Sequence, residues 1–272
     1  MTVQVSDRFV DTNGTRLFVM DRGRGRALVF LHGLGWDHTL WHGVTQAFAH
    51  EYRVIAGDTR GHGRSAKPDG PYTIALFAED WFAAFKNLRV RQACLIGFSQ
   101  GGMIAQTLAV QHPEIVSALV LVSTSCRSDP GAYDKLEERI RVARTEGPVA
   151  SARLAAQSIF SRAYMQARPD AVEEFVNWRA GMDQEPLVHA TRAAHGFDVS
   201  AQLASIGVPT LVMYGEEDVL TPPSVVTSVA SHIPGAELVG IPGAAHMIPV
   251  EKAEEFELAL DTFLKKHYAP SL

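Results

Sequence analysis

Residues 93–106 read Ala93-Cys94-Leu95-Ile96-Gly97-Phe98-Ser99-Gln100-Gly101-Gly102-Met103-Ile104-Ala105-Gln106. An apolar run of strand length ends at Phe98, and apolar residues at helical spacing follow from Gln100 onward. One serine stands between them, with glycine two places before it and two places after. A serine at the point of a sharp strand-to-helix turn exposes its Oγ above the sheet, and a Cβ at either glycine would collide across the turn. The five-residue pattern alone is a weak signal, and serine is also a favoured helix N-cap. Its surroundings decide between the two readings.

Working outward, short runs rich in Val, Ile and Leu recur, each ending in a Gly- or Asp-bearing loop. They are Ala27 to Leu31, Arg53 to Ala56, Ala93 to Phe98, Val116 to Val122, Thr210 to Tyr214 and Glu237 to Ile241. Continuous apolar strands are expected where both faces of a sheet are covered. Helix-length segments with three- and four-residue apolar spacing lie between them, most clearly Ile74 to Leu88, Met103 to Gln111 and Ala253 to Phe263. Strand alternating with helix predicts an α/β fold with a mostly parallel central sheet flanked by helices. The chain opens on a hairpin, Val3 to Val10 and Arg16 to Met20, turning at Asn13-Gly14. Asn13-Gly14-Thr15 also matches a glycosylation acceptor, but Asn-Gly between strand-like runs reads first as a turn. From Arg127 to Phe197 no strand-like run appears, and the segment reads as several helices rich in Ala, Arg and Glu. The expected organisation is a core in two parts, 1–126 and 198–272, with a helical cap, 127–197, inserted between two strands.

Composition narrows the function classes. The 272 residues carry 25 Lys+Arg and 30 Asp+Glu, a formal net charge of −5, with 46% hydrophobic residues. That balance excludes disorder and coiled coil. With no basic run, nucleic acid is not the expected partner. The longest apolar stretches are strand-sized, so no membrane span is expected. The first ten residues alternate polar and apolar side chains, unlike a secretory signal. Cys94 and Cys126 alone form no disulfide framework and fit a reducing, cytoplasmic setting. The expected partner is a small molecule; monomer and homo-oligomer both remain open.

A nucleophilic serine needs a base, and the base needs an orienting carboxylate. Asp218 sits just past the run Thr210 to Tyr214, and His246 just past Glu237 to Ile241. Loops after parallel strands gather at one carboxyl edge of the sheet, so Ser99, Asp218 and His246 are expected to converge there. Their chain order, serine then acid then histidine, is the one that accompanies a strand-turn-helix elbow. Glu216 and Glu217 adjoin Asp218, and a one-residue shift is an alternative; the Gly-x-x-Asp spacing favours Asp218. His32-Gly33-Leu34-Gly35-Trp36 follows another strand to the same edge, and its glycines let backbone amides face a bound oxygen. The expected oxyanion donors are the N–H groups of Leu34 and Gln100.

These features together resemble the α/β-hydrolase superfamily over nearly the whole chain. The matching residues are His32 to Gly35, Asp58-Thr59-Arg60-Gly61-His62-Gly63-Arg64-Ser65, Gly97 to Gly102, Asp218 and His246. The resemblance implies a Ser nucleophile, a His base, an Asp partner, no metal, no cofactor and a helical cap bounding the substrate pocket. Serine at position 99 departs from the epoxide-hydrolase and haloalkane-dehalogenase branches, which use a carboxylate nucleophile. Asp58 to Gly63 and Gly101 to Gln106 are similar to the 3-oxoadipate enol-lactonases, which open a small anionic enol-lactone in aromatic catabolism. That group carries Asn-Ser-x-Gly where this chain has His32-Gly33-Leu34-Gly35. The expectation is a serine hydrolase of a small carboxylic ester or lactone. Second stands a C–C hydrolase of ring-fission products, whose Gly-Asn-Ser-Met-Gly-Gly elbow and His-Trp pair differ from Gly97 to Gly102 and His246-Met247. A hydrolase-fold receptor with little turnover is a third reading.

Other residues have plainer expectations. His32 and His62 belong to structured turns, His112 to a helix end, and His189 and His195 to the exposed cap. Asp58 and Arg60 tie down their loop. Cys94 is inert core, and Cys126 carries no reactive motif. The cap holds 10 Lys+Arg and 10 Asp+Glu, yet one inward Arg suffices to bind a carboxylate bidentately. Arg162 and Arg179 are the candidates, near Phe160, Tyr164 and Trp178. Trp36, Arg162, Trp178 and Met247 are the expected pocket residues.

Overall fold

The structure is a computed structural model that describes residues 5–128 and 130–270. Eight strands form one sheet in the order β1-β2-β4-β3-β5-β6-β7-β8. They are β1 (Val5–Asp11), β2 (Arg16–Gly23), β3 (Ala27–Leu31), β4 (Arg53–Gly57), β5 (Ala93–Phe98), β6 (Val116–Val122), β7 (Thr210–Gly215) and β8 (Glu237–Ile241). β1 and β2 pair antiparallel through the turn at Asn13-Gly14, and β2 pairs antiparallel with β4. From β4 onward every pairing is parallel. Val3 of the expected hairpin lies outside the described residues.

The central strands are buried on both faces because helices cover both. α2 (Ile74–Leu88) and α3 (Gln100–Gln111) close one side, with Leu31, Leu95 and Leu121 facing Phe77, Trp81 and Leu108. On the other side Phe30, Ile96 and Val120 share a cluster with Trp41, Phe256 and Phe263. α1 (His42–Phe48), α10 (Ile248–Glu251) and α11 (Ala253–His267) belong to that layer, and α9 (Pro223–His232) to the first. β2 runs three residues past the expected Met20 despite the polar pair Asp21-Arg22. Arg53 of β4 grips the Asp21 carboxylate with two bonds of 2.9 and 2.7 Å, satisfying a charge the apolar pattern could not anticipate.

Among the described residues five α-helices lie between β6 and β7: α4 (Pro130–Thr145), α5 (Pro148–Ile159), α6 (Arg162–Ala167), α7 (Pro169–Ala180) and α8 (Gln184–Arg192). The chain enters and leaves this insertion side by side. Arg127 bridges Asp198, Ser128 N–H donates to Phe197 O at 2.6 Å, and Val199 N–H to Cys126 O at 2.9 Å. Among the described residues no helix is long and apolar enough to cross a membrane.

Candidate active site

Ser99 stands between β5 and α3 at φ 52° and ψ −117°. A side chain seldom adopts a positive φ, and such strain concentrates at functional turns. The glycines permit the turn: a Cβ on Gly97 would lie 2.4 Å from Gly101 O, and one on Gly101 2.1 Å from Leu31 O. The turn is held from the end of β6 and the loop after it: Val122 O accepts from Ser99 N–H at 2.8 Å, and Thr124 Oγ1 donates to Ser99 O at 2.7 Å.

Loops after β7 and β8 bring two further residues to the same edge. His246 Nε2 lies 3.0 Å from Ser99 Oγ, and His246 Nδ1 lies 2.8 Å from Asp218 Oδ2. An ionised carboxylate can only accept, so Nδ1 carries the proton and Nε2 is left as the acceptor facing the Ser99 hydroxyl. Burial alone would raise the Asp218 pKa, but the charge and hydrogen bond of His246, with Thr221, hold it below the usual carboxylate value. Its Oδ1 accepts the N–H groups of Leu220 and Thr221 at 2.8 and 2.9 Å, and its Oδ2 the Thr221 hydroxyl at 2.7 Å. Thr221 was not anticipated. A Thr three residues after an Asp is a local turn pattern that could have revealed it.

The loop after β3 completes this edge. Trp36 N–H donates to Gly33 O at 3.2 Å around a turn whose third residue, Gly35, has φ 65°. Leu34 and Gln100 both line the pocket over Ser99. His32 braces the turn, with Nε2 accepting from Thr59 N–H at 2.9 Å and Nδ1 bonded to Gly33 O at 2.8 Å. Asp58 and Arg60 tie down their loop. Asp58 accepts His38 Nδ1 and the His38 and Arg64 amides, while Arg60 grips Asp80 with two bonds of 2.7 Å. Asp37, His38 and Asp58 could bring metal-ligand atoms within 4.8 Å of one another, but those bonds already engage both Asp58 oxygens.

The pocket lies between this edge and the inserted helices. Trp36 lines it, as do Met103, Tyr133 and Leu136. Three expected wall residues do not. Arg162 is exposed at the start of α6. Trp178 sits behind Trp36, their rings 5.2 Å apart, and faces a second hollow beside His62 and Lys67. Met247 is fully buried in the cluster of Trp41 and Phe256, because the chain that turns His246 toward Ser99 turns the next side chain inward. His189 packs on Tyr72 and the exposed His195 on Tyr133; neither reaches the pocket.

Two arginines do line it, Arg179 of α7 and Arg139 of α4. Arg139 was missed, since nothing in the α4 sequence distinguishes it from its exposed neighbour Arg141. Arg139 is 6% exposed, and its Nε and Nη2 have no hydrogen-bond partner among the described residues. Burial, then the nearby Arg179 charge, pushes its pKa down to about 9, and burial pushes Arg179 down to about 10. Both stay cationic at neutral pH.

A family model described as alpha/beta hydrolase fold matches residues 26–253. The chain is 30% identical over 240 residues to 3-oxoadipate enol-lactonase 2 of Acinetobacter baylyi, covering 88% of this chain and 89% of that one. It is 30% identical over 250 residues to a putative carbamate hydrolase, RutD, of Caulobacter vibrioides, covering 89% and 91%. The crystal structure of the enol-lactonase from Burkholderia xenovorans LB400 superposes with a TM-score of 0.89 at 29% identity, covering 95% of this chain and 100% of that one.

Proposed function

Because this chain belongs to the alpha/beta hydrolase fold family, we propose that it is a serine hydrolase of a small carboxylic ester or lactone bearing a carboxylate. The observation that carries the reading is the 3.0 Å contact between Ser99 Oγ and His246 Nε2, with Asp218 behind the ring. His246 takes the Ser99 proton as the hydroxyl attacks the carbonyl, and Asp218 stabilises the imidazolium that forms. The Leu34 and Gln100 amides receive the negative oxygen, each worth on the order of 10²–10³ in turnover. Water attacks the acyl-enzyme by the same route and releases the acid.

The substrate class rests on Arg139. A buried cation without a partner is costly, and its free Nε–Nη2 edge matches the two oxygens of a carboxylate. An enol-lactone carrying a carboxylate would meet that free edge, and the similarity to enol-lactonases supports the same class. The two buried thiols, Cys94 and Cys126, support a reducing, cytoplasmic setting.

The test compares 3-oxoadipate enol-lactone, a p-nitrophenyl half-ester of a dicarboxylic acid and a vinylogous diketone on wild type and Ser99→Ala. We expect the lactone and half-ester to turn over, and S99A to lose at least about 10⁴-fold in kcat. Equal turnover by S99A would overturn the nucleophile. Faster cleavage of the diketone would favour C–C hydrolysis, and a burst without sustained turnover a receptor.

A further inference from the structure

We infer that Arg179 is a positioning residue that holds the oxyanion turn, so that the inserted helices set the geometry of the site rather than merely roof it. The inference rests on the serine-hydrolase reading above and goes beyond it. Arg179 reaches from α7 into the loop after β3, where its Nη1 donates to Gly35 O at 2.9 Å and lies 3.5 Å from Leu34 O. These two carbonyls follow the Leu34 N–H in the chain, so fixing them fixes the turn that presents that donor. The approach is close: a Cβ on Gly35 would fall 1.8 Å from Arg179 Nη1. No carboxylate faces the guanidinium among the described residues, and burial lowers its pKa. An arginine kept in that place makes sense if carbonyl oxygens are what it serves.

The other loops at this edge are tied to the insertion in the same way, each to a different helix. Gln100, the second expected donor, sends its side-chain Nε2 to Ala190 O of α8 at 2.7 Å. Met247, beside His246, donates its N–H to Ile159 O at the end of α5 at 3.2 Å. Lys135 of α4 donates to Val219 O, beside Asp218, at 2.8 Å. The Lys135 link is exposed and contributes little. The Arg179 and Gln100 links are buried, and they meet the two segments whose amides would hold the oxyanion. Misplacing such a group by about 1 Å costs on the order of 10²-fold in rate.

The experiment measures Arg179→Met and Arg179→Lys with neutral p-nitrophenyl acetate, and with phenylboronic acid as a mimic of the tetrahedral state. For R179M we expect kcat to fall by about 10- to 100-fold while KM stays within about 3-fold, and boronate affinity to fall in parallel with kcat. R179K, which keeps a cation and N–H donors on a single nitrogen, should recover part of both losses. A folded R179M with wild-type kcat, or a loss carried entirely by KM with boronate affinity intact, would overturn the inference. If R179M does not fold, R179K decides on the same criteria. Hydrogen exchange separates this idea from the hydrolase reading. Should wild type cleave no ester at all, faster exchange at amides 33–36 in R179M or R179K would still support the tether. Unchanged exchange there would end it.

Discussion

Ser99, Asp218 and His246 were legible in the sequence because each follows a strand at its carboxyl end, and a parallel sheet brings such loops together. Asp218 was separable from Glu216 and Glu217 only by spacing; in the structure it is Asp218 that meets His246, at 2.8 Å. Arg139 was not legible. A helix of mixed charge does not say which arginine turns inward, and the insertion holds nine. Met247 was misread for the converse reason, since adjacency to a pocket residue says nothing about the direction of the next side chain. The free edge of Arg139 leads to a selectivity prediction. Arg139→Gln should lower the kcat/KM ratio of the p-nitrophenyl half-ester to its neutral methyl-capped isostere by at least about 10-fold, since a charge-assisted pair contributes about 1.5–3 kcal/mol. Arg153→Gln, at an exposed ion pair with Glu173, should leave that ratio unchanged. A ratio insensitive to R139Q would remove the carboxylate from the proposed substrate.

At the scale of elements, the central parallel strands were readable almost to the residue, since burial on both faces leaves an uninterrupted apolar run. The helices of the insertion were readable only as a block. Their Ala, Arg and Glu favour helix throughout, and breaks such as Gly147-Pro148 and Arg168-Pro169 sit between segments of the same composition. At the junction of β3, β5 and α3 the backbones pack closely behind the site, and glycine makes this possible. Gly101→Ala would place a methyl group 2.1 Å from Leu31 O, a backbone atom with no room to rotate away. Helix α3 would have to shift from the sheet and carry Gln100 and the elbow with it. We expect a loss of about 1–3 kcal/mol from overpacking, read as a lower urea midpoint, together with a drop in kcat. A G101A protein with the wild-type midpoint would mean that α3 can slide along β3 without cost.

Across the whole molecule, several buried groups share one response to acid. His32 and His62 meet edge to face, their ring centroids 4.9 Å apart. His32 is already committed to a neutral form, because a proton on Nε2 would face the Thr59 N–H that now donates to it. Burial lowers its pKa despite the Asp58 charge nearby. The His62 Nε2 is buried without a partner, and burial, then repulsion from His32, pushes its pKa down to about 3. The unfolded chain takes up a proton at each near pH 6.5, so between that pH and about 3 the unfolded state binds more protons than the native one. Stability therefore falls as the pH falls from 6.5. Asp58 and Asp218 add to this lower down. Burial raises both, but His38 beside Asp58 and His246 beside Asp218 outweigh it and leave their pKa values depressed. Their stabilisation is present above the unfolded value near 3.9 and is lost as the pH drops through the folded one. For His62 alone the loss by pH 4.5 is about 2–3 kcal/mol. His38 and Asp80, whose pKa values are raised, pull the other way, so the expectation is a urea midpoint lower at about pH 4.5 than at about pH 6.5. His62→Asn, which cannot be protonated in this range, should show a shallower decline whatever its stability at pH 7. A midpoint flat with pH, or equal slopes in the two proteins, would mean that water reaches the His62 ring and that its burial is not sustained in solution.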